Sequence, residues 1–190
     1  MGAVSAVEQM TADQFVAAPV PDHGRPWNLV GGEVVVNEPT RVHARVQGNI
    51  LVALELWTRH GAGRGCAGLP IDIGLDDRNV FAPDVHWYRE ERVPANDAVP
   101  PYAMADLAVE VRSPSTWRYD IGAKKSAYER HGLPELWLVD TLAETVLVYR
   151  RSKNDSARFD VALELDAGAQ LTSPLLRGFG VPVAEIFAVR

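Results

Sequence analysis

The 190-residue chain has a single cysteine, Cys66. An internal disulfide is therefore excluded, and no Cys/His cluster at zinc spacing replaces it. The chain has no apolar run near membrane-spanning length, so a cytoplasmic protein that does not enter a membrane is expected. Its first residues, MGAVSAVEQM, lack a basic start followed by an apolar stretch, and Ala6 misses the myristoylation pattern, so neither a secretory signal nor that lipid anchor is expected. Positive charge is also scarce. A formal net charge of −6 argues against a protein whose whole surface binds nucleic acid, although a local basic site is still allowed. The glycine-rich stretch HGAGRGCAG has neither the lysine nor the hydroxyl of a P-loop and reads as a flexible connection. Trp27, Trp57, Trp87 and Trp117 are evenly spaced, but their neighbours do not repeat, which excludes a solenoid.

What is present is the composition of a globular domain, 47% hydrophobic and 23% charged, in a chain of 20.8 kDa. One domain over residues 1–190 accommodates it, with residues 1–26 as an N-terminal arm. In that arm Thr11 to Gln14 has the capping-box pattern of a short helix, and Pro19, Pro21 and Pro26 forbid regular structure after it. WNLVGGEVVVNEP reads as a β-hairpin turning near Gly31 and Gly32. From Thr40 to about Arg59, Val42, Val46, Ile50, Ala53, Leu54 and Trp57 recur at spacings of three and four, the mark of an amphipathic helix. LPIDIGL and NVFAPDVHWYRE follow as two β-rich runs, joined by a tight turn at Asp76 to Arg78. After a proline-rich loop come the strand LAVEV, a helix that stops at Gly132 ahead of Pro134, the strands ELWLVD, TVLVYRR and RFDVALEL, and a loop leading to a final short strand or helix. Helices around a mixed or antiparallel sheet make this an α/β (α+β) domain.

The chemistry concentrates in DLAVEVRSPSTWRYDIGAKKSAY, residues 106–128. Alternation along its strand puts Glu110 and Arg112 on one face. Asp120, Lys124 and Tyr128 recur at a spacing of four, which stacks them along one side of the following helix. A buried, unpaired Glu110 would cost several kcal/mol, so it requires a cation, either a metal ion or a basic side chain such as Arg112. From Arg112 to His131 five basic residues face two acids, an excess of three positive charges, which also fits an ordinary solvated helix face. Asp84, directly after Pro83, is a second acid that could converge with Glu110 on a divalent cation, or could simply cap a turn. Asp120 equally suits the first turn of a helix, where an acid favours the macrodipole, and Tyr128 equally suits packing. The histidines, His43 and His86 among them, read as surface or satisfied core residues.

Taken together these motifs resemble the Uma-two family of restriction endonucleases, a bacterial branch of the PD-(D/E)XK nuclease superfamily. The matching residues are Pro83 to Val85 (PDV), Val109 to Thr116 (VEVRSPST), then Asp120, Lys124 and Tyr128, and the run GLPELWLVD at Gly132 to Asp140. MTADQF, GGEVVVNEPTRVH and LTSPLLRGFGVPVAEIF extend the likeness toward both ends. The resemblance implies a restriction-endonuclease-like core of α-β-β-β-α-β order and a metal-dependent endonuclease that hydrolyses DNA. In that reading Asp84 and Glu110 bind magnesium or manganese, and Lys124 is the catalytic lysine moved onto the helix, since Arg112 stands in the lysine's usual place. Glu33, Asp120, Tyr128 and Arg112 form a supporting shell. Asn28 stands where relatives often carry a glutamate, which keeps open an inactive nuclease-fold binding or assembly module. A homodimer is a further expectation, by analogy between folds.

Overall fold

A computed structural model describes residues 9–19, 27–153 and 155–188. Most of the expected arm lies outside the described residues, but its helix α1 (Ala12–Ala17) is within them. Its capping box is closed in both directions: the Gln14 N–H donates to Thr11 Oγ1 at 3.3 Å, and the Thr11 N–H to Gln14 Oε1 at 2.8 Å. Strands β1 (Trp27–Val30) and β2 (Glu33–Val36) form the expected hairpin. Its turn needs positive φ at both central residues, 60° at Gly31 and 86° at Gly32, which glycine adopts without strain.

Helix α2 (Arg41–Arg59) starts where its pattern predicts, with Thr40 Oγ1 accepting from the His43 N–H at 3.2 Å. It buries Val46, Ile50 and Leu54 against the main sheet. Each such side chain contributes about 1.5–3 kcal/mol, which holds the helix on the sheet more firmly than propensity could.

Two expectations about the next segment need correction. The glycine-rich connection is not wholly flexible, because it leads into strand β3 (Cys66–Gly68), which pairs with β6 (Val85–Tyr88) at the edge of the main sheet. Gly65 lies so close beneath that strand that an added Cβ would sit 1.9 Å from the Tyr88 carbonyl oxygen, so the glycine allows close approach of two backbones. The run NVFAPDVHWYRE is not one strand. It splits at Ala82 to Asp84 into β5 (Asn79–Phe81), which pairs with β4 (Ile73–Asp76), and β6. Pro83 cannot donate to a ladder, and both halves are apolar enough to be buried, so the chain changes sheets at the proline.

The main sheet continues with β7 (Leu107–Val111), β8 (Glu135–Asp140), β9 (Thr145–Arg150) and β10 (Val161–Leu165), in the order β10-β9-β8-β7-β6-β3. Only β7 and β8 run parallel, across the helical crossover between them, so the sheet is mixed. The second sheet has the order β2-β1-β5-β4. The crossover holds α3 (Trp117–Tyr119), a π-helical turn over Asp120–Lys124, and α4 (Lys125–Arg130). Gly132, with φ 83°, ends it as predicted. The C-terminal segment adds β11 (Gln170–Leu171), β12 (Val181–Pro182) and α5 (Val183–Ile186), packed on the α2 side.

The alternation along β7 sorts the interior. Leu107, Val109 and Val111 face α2, whereas Ala108 faces Tyr128, the hairpin residues Val30 and Val35, and Phe81 of β5. Glu110 shares that second face, so the strand's one acid points toward the crossover helix.

Candidate active site

The register of the main sheet brings the two expected acids together. Val85 pairs with Val109, His86 with Ala108 and Trp87 with Leu107, so one further step outward places Asp84 opposite Glu110. Asp84 Oδ2 accepts the Val111 N–H at 2.7 Å, which ties the end of β6 to the end of β7. On the crossover helix, Lys124 Nζ lies 2.6 Å from Glu110 Oε1 and 3.1 Å from Asp120 Oδ1. The Tyr128 hydroxyl donates to Glu110 Oε1 at 2.9 Å, and Thr116 Oγ1 donates to Asp120 Oδ2 at 3.0 Å. The spacing of four along the helix therefore meets the alternation of β7 at one carboxylate.

All of these side chains are buried; Asp84 and Glu110 are each 3% exposed, and Asp120 and Lys124 each 2%. Burial pushes the Glu110 pKa up; the Lys124 ammonium opposes it, while Asp120 and Asp84 push it higher. The Asp120 carboxyl is raised by burial as well, with Lys124 and Thr116 opposing. Burial alone would lower the Lys124 pKa, but the carboxylates of Glu110 and Asp120 outweigh it and hold the ammonium above the ordinary lysine range. Tyr128 is held well above its usual value by burial and by Glu110. The cluster thus gathers three carboxyl groups around one ammonium and disfavours charging all three.

The remaining expected residues fall outside this cluster. Arg112 does not pair with Glu110, as its alternate position suggested. It lies just beyond β7, donates through Nη1 to both oxygens of Asp140 at 3.0 and 2.8 Å, and stacks over Trp117. Glu33 is exposed and accepts from the Tyr119 hydroxyl at 2.8 Å, so it approaches the crossover helix without touching Lys124 or Glu110. Asn28 is buried and structural in its contact: its Oδ1 accepts the Ala82 N–H at 2.8 Å, fixing the chain just ahead of Asp84.

His43 is a core histidine, one of the two places expected for it, but its partner was not foreseen. It is buried beside Asp84, with Nε2 at 3.2 Å from Oδ2. Asn37 Nδ2 approaches Asp84 Oδ1 at 3.4 Å, and Gln47 Nε2 donates to the Asp84 main-chain oxygen at 2.7 Å. A signal for His43 exists in the sequence, because it continues the buried stripe of Val46, Ile50 and Leu54 toward the helix start. A polar ring on an apolar stripe requires a partner.

A family model described as Uma2, "Putative restriction endonuclease", matches residues 12–184. The chain belongs to this family. The Uma2 match spans the hairpin, α2, both acids and the crossover helix. A crystal structure from Anabaena variabilis, described as a putative nuclease belonging to DUF820, shares the fold with a TM-score of 0.78 at 18% sequence identity, covering 94% of this chain and 97% of that one. No curated protein matches the chain. The Uma2 chain accordingly shares the fold of that structure, a mixed central sheet flanked by helices, and among its described residues no helix is long and apolar enough to cross a membrane.

The donor chemistry of the site can be compared with the divalent metal such a nuclease would use. Magnesium takes one or two protein carboxylates and completes its octahedron with water and phosphate oxygens. Asp84 and Glu110 are hard oxygen donors brought side by side. Among the described residues Asp84 Oδ1 has only the long contact to Asn37, and both contacts to the Glu110 carboxylate fall on Oε1. Among the described residues no group of three His, Cys, Asp or Glu side chains is arranged to hold a metal. The residues therefore fit a sparsely ligated ion of the magnesium type and do not form a closed protein cage.

Proposed function

We propose that this protein is a metal-dependent endonuclease that hydrolyses phosphodiester bonds in DNA. The observation that carries this reading is the meeting of Asp84, Glu110 and Lys124 at the paired ends of β6 and β7. Asp84 and Glu110 would hold magnesium or manganese, which when bound supplies charge stabilisation at the phosphate and lowers the pKa of water. Lys124 keeps its proton through the flanking carboxylates, so its task is to orient water and stabilise developing negative charge. Tyr128 and Asp120 hold Glu110 and Lys124 in place from the helix.

Supercoiled plasmid incubated with magnesium or manganese is expected to be nicked or cut by the purified protein. Glu110→Ala and Lys124→Ala should each lower the rate at least about a hundredfold, the scale typical for loss of a metal-binding or charge-stabilising group. Cleavage at the wild-type rate by both variants would remove these residues from the mechanism.

A second reading, a nuclease-fold binding or assembly module that does not cut, is favoured by the absence of a third acidic or histidine ligand among the described residues and by the structural contact of Asn28. Calorimetry with manganese separates the two. A module of that kind binds no manganese in a manner that depends on Asp84 and Glu110.

A further inference from the structure

We infer that His43 is a positioning residue, whose imidazole fixes the Asp84 carboxylate in the orientation that the proposed metal site requires. The inference rests on the metal-dependent reading above and assigns a task within it to a residue of α2. Its first support is geometric. Asp84 Oδ2 faces two nitrogen atoms, the Val111 N–H at 2.7 Å and His43 Nε2 at 3.2 Å, so the side chain is fixed from the sheet and from the helix. Oδ1, with only the 3.4 Å contact to Asn37, is left as the oxygen free for a ligand.

A second support comes from how His43 is itself held. Its main-chain N–H is the donor to the Thr40 cap, so its backbone is set by the first turn of α2 and not by a mobile loop. Gln47, one turn on, donates to the Asp84 carbonyl at 2.7 Å, so α2 is tied to the chain just ahead of β6 at a second point. The third support is an energetic cost. His43 is 1% exposed, yet among the described residues its Nδ1 has no hydrogen-bond partner. A leucine would fill this place on the apolar stripe without burying an unpaired nitrogen, so packing does not account for the ring. The contact to Asp84 does, and it requires the tautomer that carries the proton on Nε2.

The test is manganese binding to the full chain, followed by calorimetry and by the paramagnetic resonance of the free ion, without DNA. The wild type is expected to bind, and Asp84→Asn and Glu110→Gln to lose binding. His43→Leu and His43→Asn, the latter polar but too short to reach Asp84, should each weaken binding about 10- to 100-fold, the usual effect of removing a partner that orients a metal ligand. His43→Gln, which can present an N–H in the same direction, should recover most of that loss. Val46→Ala, on the same buried stripe, should lower the urea midpoint and leave manganese affinity unchanged. Wild-type affinity in a folded His43→Leu or His43→Asn chain overturns the inference while leaving the metal site standing. Failure of the wild type to bind manganese overturns the site and the inference with it.

Discussion

Strand β7 has a buried acid at each end, and the two are treated differently. Asp106, just before the strand, is fully buried and accepts from Arg89 Nε at 2.8 Å, from Arg92 Nη1 at 2.7 Å and from the Arg89 N–H at 3.0 Å. Both arginines reach it from the surface, with side chains 35% and 40% exposed. One acid meets two cations that keep part of their hydration, which is a structural ion pair. Glu110, near the other end, shares one fully buried lysine with Asp120, and Asp84 stands close behind. Here acids outnumber the ammonium and every side chain is buried. The difference shows why burial of a charge does not by itself mark function. An excess of one sign in a closed space is the arrangement that the proposed metal site would account for, since a divalent cation there would balance it.

The comparison can be broken most severely through stability. Lys124→Met leaves buried carboxylates with no cation and should cost about 3–5 kcal/mol in urea unfolding, whereas Asp106→Ala frees two half-exposed arginines to water and should cost about half of that. Adding Glu110→Gln to Lys124→Met should return part of the loss, because the second change removes a buried acid that has lost its partner. Equal costs for the two single variants, with no recovery in the double, would place both ends of β7 in the same class.

A smaller effect is expected from pH. The Glu110 pKa is raised in the folded chain, so the native state holds a proton that the unfolded chain loses above its ordinary value of 4.5. The unfolded state then binds fewer protons, and stability should fall as pH rises from there toward the raised native value. Urea midpoints measured across that range should decline for the wild type and decline less steeply for Glu110→Gln, with the raised Asp120 carboxyl keeping part of the slope. The smallest effects belong to the neighbours outside the cluster. Arg112→Ala and Glu33→Ala should change stability by no more than about 1 kcal/mol and DNA cleavage by less than about threefold, since their partners are Asp140 and Tyr119 at or near the surface. A loss as large as that of Lys124→Ala in the plasmid assay would enlarge the site to include them.

Much of this was legible in the sequence because it depends on local spacing. The period of three and four from Val42 to Trp57 predicts α2, Gly31 and Gly32 predict the hairpin turn, and Gly132 predicts the end of the crossover helix. Alternation marks Glu110 as a buried acid, and the spacing of Asp120, Lys124 and Tyr128 marks the helix face that meets it. The split of NVFAPDVHWYRE was not legible, because both halves are equally apolar and periodicity cannot tell which sheet a strand joins. The partner of His43 was missed for a related reason: the α2 stripe marks a ring that needs a partner, but Asp84 lies 41 residues away and helical spacing cannot name it.

By itself, then, the sequence determined most of the elements, several of their caps and stops, and the burial of Glu110, since each of these follows from backbone geometry and the pattern of apolar residues within about ten positions. Tertiary structure alone decided the partners. Arg112 is only two residues from Glu110, but it lies past the end of the strand and turns to Asp140, whereas Lys124 arrives across the helical crossover to within 2.6 Å. Asp84 reaches the same place because β6 and β7 pair in one register and not another. Which cation a buried carboxylate meets is a matter of packing between elements, and no spacing along the chain contains it.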